Sequence, residues 1–142
     1  GANQFQRARK SAWYGATFIA TLAAVAGVIF SIFPSLWLDL YTADPEAYVI
    51  GALYLAIVAP FYPIFAFGKT LYFASQGTGK MFIPIMGATT RLSIVAIFGL
   101  ICISLELDIK FLFSIIALGM SSVGLILFIN MFGPVWNPNK NT

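Results

Sequence analysis

The chain has 142 residues, 60% of them hydrophobic and only 9% charged, and a mean hydropathy of +0.89. A soluble domain carries about 25% charged residues, so eight basic and five acidic side chains are too few to cover a soluble fold, and lipid is the solvent that accepts this chain. With no His and one Cys, Cys102, a disulfide framework, a His/Cys metal site and Ser–His or Cys–His nucleophiles are excluded, and a scattered net charge of +3 offers nothing for nucleic acid to bind.

The polar and basic opening GANQFQRARK leads into a first apolar stretch, residues 11–33, which Pro34 ends. The stretch is too long for a signal-peptide core and no small-residue cleavage site follows it, so it reads as a membrane span. A chain that opens on Gly1 is expected to be processed or to be a section of a longer protein. Ala12, Ala16, Ala20 and Ala24 line one face of the span, with Ala23, Gly27 and Ser31 beside it. Such a stripe of small residues lets helix backbones approach closely.

The loop YTADPEAY that follows carries helix-start chemistry. Asp44 is placed to be an N-cap, Pro45 takes the first helical position and Glu46 stands in the first turn. The second span then covers residues 47–67, with Ala52 and Ala56 leading to Pro60 as a second packing stripe. Pro60 and Pro63, in APFYPIF, each remove a backbone donor and disturb the preceding turn. Two readings stay open for them: a hinge or cavity wall of the kind broken transporter helices supply, or a static kink of the kind membrane helices tolerate.

Gly77-Thr78-Gly79-Lys80 lacks the leading glycine, the following Ser or Thr and the preceding strand of a phosphate-binding loop, and reads as a tight turn with Pro84 opening the next helix. The third span, residues 81–105, contains Arg91, the one ionisable residue well inside a span. Holding a guanidinium there costs about 2.5–3.5 kcal/mol on insertion scales. It must therefore face carbonyls, water, a bundle interior or a carboxylate, and no Asp or Glu lies inside these spans to pair with it. Asp39, Glu106 and Asp108 read as loop residues in water, and a fourth span covers residues 111–132.

Each stretch of about 20–25 residues, at ~1.5 Å per residue, crosses a hydrocarbon core of ~30 Å. Backbone groups in lipid must be satisfied within the segment, so all four spans are expected to be helices, giving an all-α integral membrane fold. Arg7, Arg9 and Lys10 precede the first span, Lys69 and Lys80 separate the second from the third, and Lys140 lies in the tail. The acids gather in the other two loops, Lys110 being the one base beside them. The positive-inside rule then places both termini in the cytoplasm, with Trp13, Tyr14, Trp37, Tyr41 and Trp136 as interface markers.

Taken together, several of these segments resemble the multidrug and toxic-compound extrusion (MATE) transporters. GANQFQRARKSAWYG is similar to a cytoplasmic segment of that family. The T-x-D-P-E loop at Thr42–Glu46, the L-x-x-A-x-x-G-x-G turn from Leu71 to Gly79, and the Pro and Arg of the following helix recur in the same order. The resemblance implies a twelve-helix, two-lobe transporter whose last four helices this chain matches, expelling organic cations or drugs across a bacterial inner membrane in exchange for Na+ or H+ by alternating access. It implies as partners membrane lipid, the N-terminal lobe and the first helices of the C-terminal lobe. The acids of the family's ion coupling would lie outside this piece, leaving Arg91, Pro60 and Pro63 as its polar and mobile positions.

Other designs fit less well. A self-contained four-helix exporter needs a carboxylate inside the membrane, which these spans lack. A non-transporting structural subunit needs only packing stripes and topology signals, and a lipid or polysaccharide flippase shares the architecture. An enzyme needs a cluster of acids, His or Ser, so no catalytic residue, cofactor site or metal site is expected.

Overall fold

The computed structural model describes residues 5–133 and 136, so Lys140, one of the basic topology markers, lies outside the described residues. The described residues are helical, without a strand, and four helical segments are long and apolar enough to cross a membrane: Gln6–Ile32, Pro45–Gln76, Phe82–Ser104 and Ile109–Asn130. In chain order the helices are α1 (Phe5–Ile32), α2 (Ser35–Leu38), α3 (Pro45–Val58), α4 (Tyr62–Gln76), α5 (Phe82–Ser104) and α6 (Ile109–Asn130). A short 3-10 turn, Ala59–Phe61, joins α3 to α4.

Two helices outrun their apolar stretches. The basic segment before residue 11 is the first turn and more of α1, because Arg and Lys are good helix formers and helix propagation needs no lipid. On α4 the helix continues past residue 67 to Gln76, since Gly68, Leu71 and Ser75 keep a buried face at helical spacing. Lys69 is consequently helical rather than a loop residue, and its ammonium stands 5.4 Å from the ring centroids of both Tyr72 and Phe73.

The helix ends follow their local chemistry. Asp44 accepts a hydrogen bond from the Glu46 N–H at 3.2 Å, with Pro45 at the start of α3. Asp108, which reads from sequence as a plain loop residue, caps α6 in the same way, accepting from the Lys110 N–H at 2.9 Å. The end of α5 is a Schellman turn in which Leu107 N–H donates to the Cys102 carbonyl and Glu106 N–H to that of Ile103. Glu106 holds the left-handed position there, φ 51°, where glycine is usual. Gly79, φ 72°, supplies that conformation in the turn before α5.

α6 is the central helix. It packs on α3, α4 and α5, α1 packs on α4, and α5 lies at the edge against α6. One core joins Ala12, Ala16, Leu71, Val123, Leu127 and Met131, and a second joins Val58, Phe113 and Met120. The alanine stripe of α1 faces inward, with Ala12 and Ala16 buried and Ala20 and Ala24 half-buried. The second expected stripe does so only in part: Ala52 is half-buried but Ala56 and Pro60 are exposed, because the packed face runs through Leu55 and Val58 of α3 and Ala59 of the 3-10 turn. Trp136, read as an interface marker, is buried in the first core, at 2% exposure. Large apolar side chains such as Phe18, Leu22, Phe82, Leu92 and Ile129 point outward on every long helix. That surface is too apolar for water and suits lipid.

Candidate functional site

The break in the second span is built from two prolines. Pro60 is the second residue of the 3-10 turn and Pro63 the second residue of α4. A first-turn N–H has no acceptor within its own helix, so a proline there removes a donor that was already unpartnered, and the helix resumes. Tyr62 N–H donates to the Ala59 carbonyl and closes the turn. From the other side Gly27 of α1 presses on the same point: a Cβ at Gly27 would stand 2.5 Å from the Ala59 carbonyl oxygen. Only a glycine allows that approach.

Arg91 is half-buried on α5, and its guanidinium carbon lies 4.7 Å from the ring centroid of Phe65 on α4. The helix between them, α6, lets the side chain past at Gly119. A Cβ at Gly119 would lie 3.4 Å from Arg91 Cγ and 2.9 Å from Val95 Cγ2. Phe65 itself packs on the core of Val58, Phe113 and Met120. The guanidinium therefore meets an aromatic face across a glycine gap, a contact that gains strength out of water. Among the described residues no carboxylate reaches it, since Asp39, Asp44, Glu46, Glu106 and Asp108 are all exposed at the ends of the helices.

A groove of about 910 Å³ opens between α1, α4, α5 and α6. Pro63, Ile64 and Phe67 form its α4 wall, Trp13 and Ala20 its α1 wall, Phe98 stands on α5, and Leu118, Leu125 and Phe128 stand on α6. Ser121 and Ser122 also line it, but their hydroxyls donate to the carbonyls of Ala117 and Gly119 in their own helix, at 2.9 and 2.8 Å. The wall is thus apolar with its hydroxyl protons already engaged.

The three positions singled out by sequence do not form one site. Pro63 lines the groove, Arg91 reaches α4 at Phe65, two residues further on and so on another side of the helix, and Pro60 faces outward. What sequence reasoning missed are Gly119, which lets Arg91 pass toward Phe65, and Gly68 and Gly124, where the backbones of α4 and α6 meet. Their signal is available, because an interior glycine costs about 1 kcal/mol against alanine in a helix and so calls for a packing reason. Among the described residues no three His, Cys, Asp or Glu side chains gather to hold a metal.

Four membrane-crossing segments around a broken helix and an intramembrane arginine define a polytopic helical membrane protein. The sequence matches the MatE family over residues 1–101, a stretch that takes in α1 to α4, most of α5 and all of Pro60, Pro63 and Arg91, and the chain belongs to that family. MatE proteins are multidrug and toxin efflux transporters, not enzymes. No curated protein and no solved structure matches the chain.

Proposed function

We propose that the chain is the C-terminal part of a cation-coupled multidrug efflux antiporter, driven by Na+ or H+ and working by alternating access. The observation that carries this reading is the family match running unbroken across the interrupted second span. Interrupted helices are where secondary transporters place hinges and binding sites. The 142 residues serve as a single membrane unit of four spans, docked on an N-terminal lobe and on the first helices of its own lobe. With no acid inside these spans, ion coupling resides elsewhere in the complete protein, and this section supplies cavity wall and scaffold.

The orientation follows from charge. Arg7, Arg9 and Lys10 at the start of α1 lie toward the same end of the bundle as Lys69, midway along α4, and Lys80 before α5. That end faces the cytoplasm of a bacterial inner membrane, and both termini lie there. Organic cations are the cargo.

The test is efflux by the natural protein that contains this sequence, expressed in a drug-hypersensitive bacterium. Ethidium should leave the cells faster than from controls, and collapsing either the sodium or the proton gradient should abolish the difference. Ethidium retention equal to that of empty cells, with the protein in the membrane, contradicts the proposal. Lipid translocation without ethidium efflux would move it to the flippases.

A further inference from the structure

We infer that Arg91 pairs with an Asp or Glu carboxylate carried at mid-membrane depth by a helix of the complete protein outside these four spans. This pairing presupposes the reading of the chain as part of a longer transporter. Three helices fix the depth of the guanidinium. Arg91 lies nine residues from the start of α5 at Phe82, roughly 14 Å at ~1.5 Å per residue. Its guanidinium carbon meets the Phe65 ring at 4.7 Å, and its Cγ lies against Gly119. Phe65 and Gly119 stand 11 residues from the ends of α4 and α6 at Gln76 and Asn130, roughly 16 Å. Those three helix ends share one end of the bundle, because short connections join α4 to α5 and α5 to α6. In a hydrocarbon core ~30 Å thick the charge therefore sits near the midplane.

The side chain does not snorkel. Its contacts lie at its own depth on neighbouring helices, so it runs sideways across α6 and not along α5 toward the headgroups. Phe65 stabilises the cation but neither accepts its hydrogen bonds in full nor cancels its charge. Carbonyls of unbroken helices are engaged by their own N–H groups and would leave the net charge in place. Among the described residues no side-chain acceptor engages the guanidinium, and every Asp and Glu is exposed at the helix ends. Arg91, Phe65 and the neighbouring Tyr54 and Tyr62 are all half-buried, so this face has room for a further helix. An intramembrane cation on an open face calls for an anion at the same depth. A cationic cargo cannot supply it. A carboxylate can, because its two oxygens match the fork of a guanidinium.

The experiment uses the natural protein that contains this sequence, in mild detergent, with the folded fraction after heating read by size-exclusion chromatography. Arg91→Gln strands the carboxylate in hydrocarbon and should lower the folded fraction about tenfold, whereas Arg91→Lys should keep most of it. Each Asp and Glu inside the remaining spans is then changed to Asn or Gln, alone and together with Arg91→Gln. One of these changes should be damaging alone yet return the Arg91→Gln protein to within about twofold of wild type, since no charge is then left unpaired. If Arg91→Gln does not fold at all, the paired variants still decide, because rescue is read from zero. Rescue by none of the acids, rescue by all alike, or a wild-type folded fraction for Arg91→Gln overturns the pairing. Ethidium efflux by the wild type is measured in parallel. Rescue without efflux supports the pairing and contradicts only the transport reading, and efflux without rescue does the reverse.

Discussion

A Cβ placed on Gly68 would lie 2.7 Å from the Cα of Gly124, so α4 and α6 touch backbone to backbone at this point. The contact is mutual, because a Cβ on Gly124 would collide with the Ile64 carbonyl oxygen. Neither neighbour is a flexible side-chain end that can swing away. Gly68→Ala and Gly124→Ala should each destabilise the bundle by about 1–3 kcal/mol, the usual range for overpacking. Because both act on one contact, the double variant should lose less than the sum of the two. Thermal unfolding in detergent measures this, and full additivity would mean that the helices do not meet here.

The pairing of Arg91 with Phe65 lends itself to a double-mutant cycle. A cation over an aromatic face contributes about 0.5–2 kcal/mol, more when water is excluded. Phe65→Leu should lose that much more stability in the wild type than in an Arg91→Met background. Gly119→Val, which obstructs the path of the arginine, should remove the coupling while leaving both partners in place. A coupling energy near zero would place the guanidinium in water or among headgroups instead.

The helix ends at the acidic face give a third test. Asp44→Ala and Asp108→Ala each remove a side-chain acceptor from a helix N-terminus and should each cost about 1 kcal/mol. Glu106→Gly should act in the opposite direction. It relieves a left-handed residue, φ 51°, and should stabilise by about 0.5–1 kcal/mol, less the entropy glycine adds to the unfolded chain. Chemical denaturation, in micelles, of the natural protein that contains this sequence distinguishes these signs.

The four spans were legible because apolar runs of membrane length leave the backbone no alternative to a helix, and Asp44 declared its cap through the Asp-Pro-Glu order. Helix ends were less legible. Residues 68–76 carry a lysine and a glutamine yet stay helical, since one buried face at 68, 71 and 75 is enough to hold them. Ala56 misled because spacing alone does not tell which face meets a neighbour, and α3 packs through Leu55 and Val58. Asp108 hid its cap because no proline marks the start of α6. Arg91 was found by its charge, but its partner lies on a helix two places away around the bundle and is reached through Gly119. No local pattern records a contact that depends on three helices meeting.

The measurement that tests the central claim most directly is gradient-driven transport by the complete protein in liposomes. Imposing a sodium or proton gradient should drive ethidium against its own gradient, with flux ceasing when the ion gradient is dissipated. Protein that is folded and inserted but moves no ethidium under either gradient would contradict the account, leaving these spans as a MatE-family scaffold without the exchange proposed for it.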